Sequence, residues 1–215
     1  MGLFGKSRSE PEPSERATRL HIGSGSESLP GWVNIDNKSL PGVDRVLDVR
    51  RGLPFRDVLS IYAEHFLEHL SLDEGLAFLV ECRRTLSEQG VLRLSTPNLD
   101  WVYATHYHPG QWPADADAMR DCIQLNRAFR GWGHQFLYNR QMLGAALRGA
   151  GFAAVTFCRY GESGVPELSG LERHQTWQDS AELPHVLIAE ASGRAEPVPL
   201  PKSEIEEYRR DVSVR

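Results

Sequence analysis

The chain has 215 residues, room for one domain of roughly 150 to 200 residues plus tails. Its formal net charge is -5, which speaks against a nucleic-acid or anionic-membrane surface as the main partner. Three scattered cysteines, Cys82, Cys122 and Cys158, lack C-x-x-C spacing, so a reducing compartment is expected and a structural zinc site is not. No apolar run approaches bilayer length and no signal-peptide core follows the start, and the expectation is a cytoplasmic protein without membrane contact.

Residues 1–17 are rich in Ser, Glu, Arg and Pro, the composition of a disordered leader. From Leu20 short β-prone runs alternate with helical stretches, which points to α/β. The strand candidates are 19–23, 32–36, 44–49, 60–65, 91–96, 152–159 and 185–191. The link between the first two, Ser24 to Trp32, is shorter than the dozen or so residues of an ordinary parallel crossover, so the first helix is expected to shrink to a turn. Ser71-Leu-Asp-Glu74 is a capping-box pattern. Leu76, Leu79, Val80 and Leu86 then recur at helical spacing, Arg83 and Arg84 suit the C-terminal end, and Gly90 is read as the stop. A second helix is expected from about Asn139 to Arg148, ended by Gly149 and Gly151. Residues 98–137 read as a long irregular segment, with most of its aromatic side chains packed beneath it. Residues 194–215 read as a tail, with a short helix from Lys202 to Arg210.

The candidate site begins at Gly23-Ser24-Gly25, directly after the first β run. In an open α/β sheet ligands bind beyond the carboxyl ends of the strands. Glycines there let backbone approach a ligand closely. Asp36, closing the second run, could accept hydrogen bonds from a ribose. On these residues alone, a plain glycine turn beside a surface aspartate is an equal reading. Further on, His65-Phe-Leu-Glu-His69 matches the H-x-x-E-H pattern of some zinc proteases. It starts at the end of a β run, however, and no third ligand is evident, so no metal site is expected.

The order of features is more specific than any one of them. It runs Leu20-His-Ile-Gly-Ser-Gly25, Leu29-Pro-Gly-Trp-Val-Asn-Ile-Asp36, Asp48-Val-Arg-Arg-Gly-Leu-Pro-Phe55 and Ile61-Tyr-Ala-Glu-His-Phe-Leu-Glu-His69. Glu81 to Asn98 and Gly133-His-Gln-Phe-Leu-Tyr138 follow. In that order, over roughly 18–193, the chain resembles the class I S-adenosylmethionine-dependent methyltransferases, and most of all the small bacterial branch related to the type 11 methyltransferase domain. The resemblance implies a single Rossmann-like domain over 18–193, with a mostly parallel, doubly wound, seven-stranded sheet and an antiparallel last strand. It implies S-adenosylmethionine as cofactor, with Gly23, Ser24 and Gly25 under its methionine part, Asp36 and Asn37 at the ribose, and Asp48 and Val49 at the adenine. Glu64 and His65 would line the site near the reacting methyl. Where many relatives carry an acid two positions before the first loop glycine, this chain has His21. The implied partner is a small-molecule or sugar acceptor. Should that acceptor have to lose a proton, His65, His69 and His134 are the candidate bases. The alternative is a non-catalytic member of the fold that binds a nucleoside ligand or a protein partner.

Overall fold

A computed structural model describes residues 17–173 and 180–213. The expected leader over 1–17 lies outside the described residues, except for Ala17. Alternating apolar runs become seven strands of one sheet, in the order β3-β2-β1-β4-β5-β7-β6. They are β1 (Arg19–Ile22), β2 (Val33–Asp36), β3 (Arg45–Val46), β4 (Val58–Glu64), β5 (Leu86–Pro97), β6 (Ala154–Cys158) and β7 (Val186–Ser192). Strands β1 to β5 pair in parallel, whereas β7 lies antiparallel between β5 and β6. This is the Rossmann-like arrangement with an antiparallel last strand that the resemblance implies. Strand β3 has only two residues, because Asp48 accepts the N–H of Arg50 and opens a 3-10 turn over Val49–Arg51.

The first crossover is indeed a turn, and buried Asn34 holds it. Its Oδ1 accepts the N–H of Leu29 at 2.8 Å, and its Nδ2 donates to Asp44 Oδ2 at 2.9 Å. One side chain therefore ties the turn before β2 to the segment before β3. A buried amide with these partners satisfied specifies one arrangement without a helix.

The helix α1 (Leu72–Thr85) begins at the expected capping box, with Ser71 accepting the N–H of Glu74 and Glu74 accepting that of Ser71. It turns Phe78, Leu79 and Cys82 into the core and leaves Val80 exposed. Gly90 does not stop it. The helix ends at Thr85, and Gly90 lies inside β5, where a Cβ would stand 2.6 Å from the Val58 carbonyl oxygen. The glycine serves a close pass between strands. Later, α4 (Arg140–Gly149) starts as expected, at Asn139 capping the N–H of Met142. It packs with α1 over one sheet face, where Leu143 and Leu147 join Ile22, Ile61 and Leu92 in the main core.

The opposite face carries a polar row. Paired registers place His21 beside Tyr62, Tyr62 beside Arg93 and Arg93 beside Glu190. Arg93 has no exposed side-chain surface, and its Nε and Nη1 donate to Glu172 and Glu190 at 2.6 and 2.7 Å. Trp32 and Leu168 close over this row, with Val165 and Leu171 against them.

Residues 98–137 are not irregular. They contain α2 (Leu99–His106) and α3 (Asp115–Arg130). Nor do most of their aromatics pack beneath the segment: Tyr103, Tyr107, Trp112 and Trp132 are exposed. Tyr107 stands edge-on to both Tyr103 and Trp112, at 6.3 and 6.2 Å between ring centres. Buried Asp121 of α3 then fixes the link back to α2 by accepting the N–H of His108 and the indole N–H of Trp112, at 2.8 and 2.9 Å.

The C-terminal segment docks on the same body. Ala195 donates to the Gly151 carbonyl at 2.9 Å, and Val198 to that of Arg148 at 3.2 Å. From the final helix, α5 (Lys202–Val212), Arg209 pairs with Asp73 at 2.5 Å and Tyr208 meets Phe136 edge-on. Among the described residues, no helix is long and apolar enough to cross a membrane.

Candidate functional site

Parallel strands that end together leave their last residues around one crevice. Here the ends of β1, β2 and β4 surround a cavity of about 470 Å³. Gly23, Gly25, Asp36, Asn37, Asp48, Val49 and His65 form part of its wall. These are seven of the residues expected at a cofactor.

Each is positioned by a local cause. Gly23 has φ +66°, and a Cβ there would lie 2.5 Å from the Phe66 ring, so the turn after β1 leaves no room for a side chain. Gly25 has φ +56° and faces open space, with no atom within 4 Å of where a Cβ would stand. The N–H of Gly25 donates to Asp36 Oδ2 at 3.0 Å, and that of Lys38 to Oδ1 at 2.9 Å. The carboxylate is thus fixed between two backbone segments at the cavity wall. Ser24 is buried, its N–H on the Ile35 carbonyl at 3.0 Å. Asp48 is gripped by Arg50, whose Nε and Nη2 donate at 2.8 and 2.9 Å and hold its carboxyl below the usual range. Arg50 in turn reaches Glu74 at the start of α1 at 3.2 Å.

Glu64 ends β4, but its Oε1 accepts the backbone N–H of Arg173 at 2.8 Å. His65 follows with φ +45°, a conformation uncommon for residues with a Cβ and enriched where geometry serves function. Its Nδ1 lies 3.0 Å from Glu68 Oε1. Glu68 is fully buried, and its Oε2 accepts the Thr96 hydroxyl at 3.1 Å. A carboxylate only accepts, so His65 carries its proton on Nδ1 and its basic nitrogen is Nε2. Residues 67–69 form a single 3-10 turn, so His65 and His69 do not share a helix face as a protease motif requires. His69 also lines the cavity, and the ring of His134 stands edge-on to it at 5.2 Å.

His21 points away from the cavity into the polar row. Its Nδ1 is 3.1 Å from Asn34 Oδ1, and burial lowers its pKa from 6.5. Phe66, Leu70, Leu47 and exposed Trp132 also line the cavity. None was among the residues expected at the site. Phe66 lies within the His65–His69 stretch and Leu70 follows it, so both are legible by proximity, whereas no local signal brings Trp132 across from residues 98–137.

The sequence matches no protein-family model and no curated protein. Solved structures are another matter. The chain is similar to an S-adenosylmethionine-dependent methyltransferase of Thermotoga maritima, described as a possible histamine N-methyltransferase. Identity is 12%, over 84% of this chain and 83% of that one, with a TM-score of 0.52. A DhpI complex with S-adenosylhomocysteine matches at 13% identity over 82% of this chain and 76% of that one, TM-score 0.47. LepI in complex with S-adenosylmethionine matches at 12% identity over 86% of this chain, TM-score 0.45, and the chain spans only 45% of its length. At such identities the likeness is one of fold. The fold of this chain is the Rossmann-like fold of the class I S-adenosylmethionine-dependent methyltransferases.

Proposed function

We propose that the chain binds S-adenosylmethionine in the cavity beyond β1, β2 and β4 and transfers its methyl group to a small-molecule or sugar-precursor acceptor. The observation that carries this reading is the Gly25–Asp36 bridge. It sets a carboxylate with acceptor capacity beside an open glycine turn, as a ribose and the chain attached to it require. Gly23, Ser24 and Gly25 would hold the methionine part, Asp36 and Asn37 the ribose, and Asp48 and Val49 the adenine.

S-adenosylmethionine, when bound, supplies a methyl on a positively charged sulfur that needs no further activation. The protein's own task is then to orient the acceptor, an effect worth about 7–11 kcal/mol of barrier when the geometry is good. For a hydroxyl acceptor, His65 is the candidate base, and a small ring movement would have to bring its buried Nε2 to the acceptor. Glu68, itself held by the Thr96 hydroxyl, keeps the imidazole in the required tautomer. The exposed Trp132 at the cavity wall offers flat surface with a polar edge, which suits a ring or a sugar face.

The test is to incubate the purified chain with S-adenosylmethionine and a panel of phenolic and sugar acceptors and to measure S-adenosylhomocysteine. Acceptor-dependent product supports the transferase. Binding of both nucleosides without product from any acceptor supports a non-catalytic member of the fold.

A further inference from the structure

Glu68, His69 and His134 bring one ligand atom each to within 4.8 Å of one another, although His134 is 65 positions away from His69 in the chain. We propose that these three side chains form a binding site for a divalent transition-metal ion of the zinc class, set in the wall of the candidate cofactor cavity. Nothing in this proposal depends on the methyl-transfer reading.

Three features carry it. The first is the relation of the two imidazoles. Rings bound to one tetrahedral ion through bonds of about 2.0–2.1 Å have centres roughly 5 Å apart. The His69 and His134 ring centres are 5.2 Å apart, with the planes at 69°.

The second is support behind the ligands. His134 Nδ1 lies 2.8 Å from the Ala128 carbonyl oxygen, which accepts only. The ring therefore carries its proton on Nδ1 and presents Nε2 as the donor to a metal, in the arrangement usual for ligating histidines. Glu68 is likewise held from behind, by the Thr96 hydroxyl and His65, and a carboxylate oxygen with one hydrogen bond keeps a lone pair for an ion.

The third is the framework. Gln135 donates its backbone N–H to the Glu68 carbonyl at 2.7 Å and its side-chain amide to that of His69 at 2.5 Å. The strand-end turn carrying Glu68 and His69 is thereby clamped to the segment carrying His134.

Two imidazoles with one carboxylate favour zinc, cobalt, nickel or ferrous iron over magnesium or calcium, which prefer oxygen. Donors around a zinc-sized ion stand roughly 3.3 Å apart, so binding would draw the cluster in by at most about 1.5 Å. Side-chain rotation in the partly exposed His69 accommodates such a movement. His69 lines the cavity, so the ion would have protein behind it and open space before it.

The experiment uses the full chain without a polyhistidine tag, stripped with chelator and titrated with Co²⁺. Visible absorption gives coordination geometry and stoichiometry, and Zn²⁺ serves as competitor. The expected result is one equivalent of Co²⁺, displaced by Zn²⁺, with affinity reduced at least tenfold in both His134→Ala and His69→Ala. His106→Ala, outside the cluster, should bind as the native chain does. Circular dichroism melts establish that each variant is folded. Absence of one-equivalent binding, or native affinity in both cluster variants, overturns the site. A parallel titration of the metal-free protein with S-adenosylhomocysteine separates the two proposals. Nucleoside binding with no cobalt overturns the metal site alone, and cobalt binding with no nucleoside overturns only the methyl-transfer reading.

Discussion

The backbone N–H of Gly25 donates to the carboxylate of Asp36 at 3.0 Å, joining the turn after β1 to the last residue of β2. Two strand ends thereby become one rigid rim. Asp36 supplies both the anchor of the glycine turn and an acceptor at the cavity wall, so under the proposed cofactor reading loop geometry and ligand contact would depend on a single side chain.

Both glycines of that turn hold a positive φ, but only Gly23 is also crowded, and substitution separates the two effects. Gly23→Ala puts a methyl 2.5 Å from the Phe66 ring and should cost about 1–3 kcal/mol of stability. A Cβ at Gly25 meets no atom within 4 Å, so backbone strain of about 1–2 kcal/mol is the main cost of Gly25→Val to folding. Its side chain would instead enter the cavity and block S-adenosylhomocysteine. Thermal melts and a binding titration on both variants check this. A Gly25→Val protein that binds normally places the pocket elsewhere.

His65→Ala should lower turnover by about 10²- to 10⁴-fold, the usual contribution of a general base, while cofactor affinity changes little. Single-turnover kinetics beside equilibrium binding measure the two separately. Equal turnover would make the His65–Glu68 pair a structural contact.

Arg93→Met should destabilise the fold by about 3–5 kcal/mol, since it leaves Glu172 and Glu190 facing each other without their buried cation. Urea unfolding measures this directly. A loss below about 1 kcal/mol would mean that water reaches the polar row when the arginine is gone.

Burial lowers the pKa of His21 in the folded protein below its ordinary 6.5. The unfolded chain therefore binds this proton more readily. Stability from neutral His21 is fully present above pH 6.5 and is lost as pH falls from there toward the folded-state value. The slope from one such group is at most about 1.4 kcal/mol per pH unit. Urea unfolding between pH 7.5 and about 5 should show this loss, and His21→Asn should flatten it. An unchanged slope in the variant would assign the pH dependence to other groups.

What was legible in the sequence was mostly local. Ser71 and Glu74 announce α1 because a capping box acts over three residues, and Asn139 announces α4 in the same way. The strands were legible because apolar runs between turn residues leave few alternatives. Gly23, Gly25 and Asp36 stood out because strand ends in such a sheet converge. Helix α3 was hidden for a physical reason. Its first turn has no side-chain cap at Ala114, its apolar Met119, Ile123 and Phe129 stay exposed, and Asp121 is its one buried residue. Gly90 was misread because its cause, the Val58 carbonyl, lies on a neighbouring strand. His134 beside His69 is a contact of the same kind, invisible to any local pattern.

The most direct test of the account is calorimetric titration of S-adenosylhomocysteine into the native chain and into Asp36→Ala. The account predicts one site in the native protein. Losing the Asp36 hydrogen bonds should weaken that site by about 1.4–2.8 kcal/mol, or 10- to 100-fold, in a variant that still melts cooperatively. No binding by the native chain, or equal affinity in the two proteins, would contradict it.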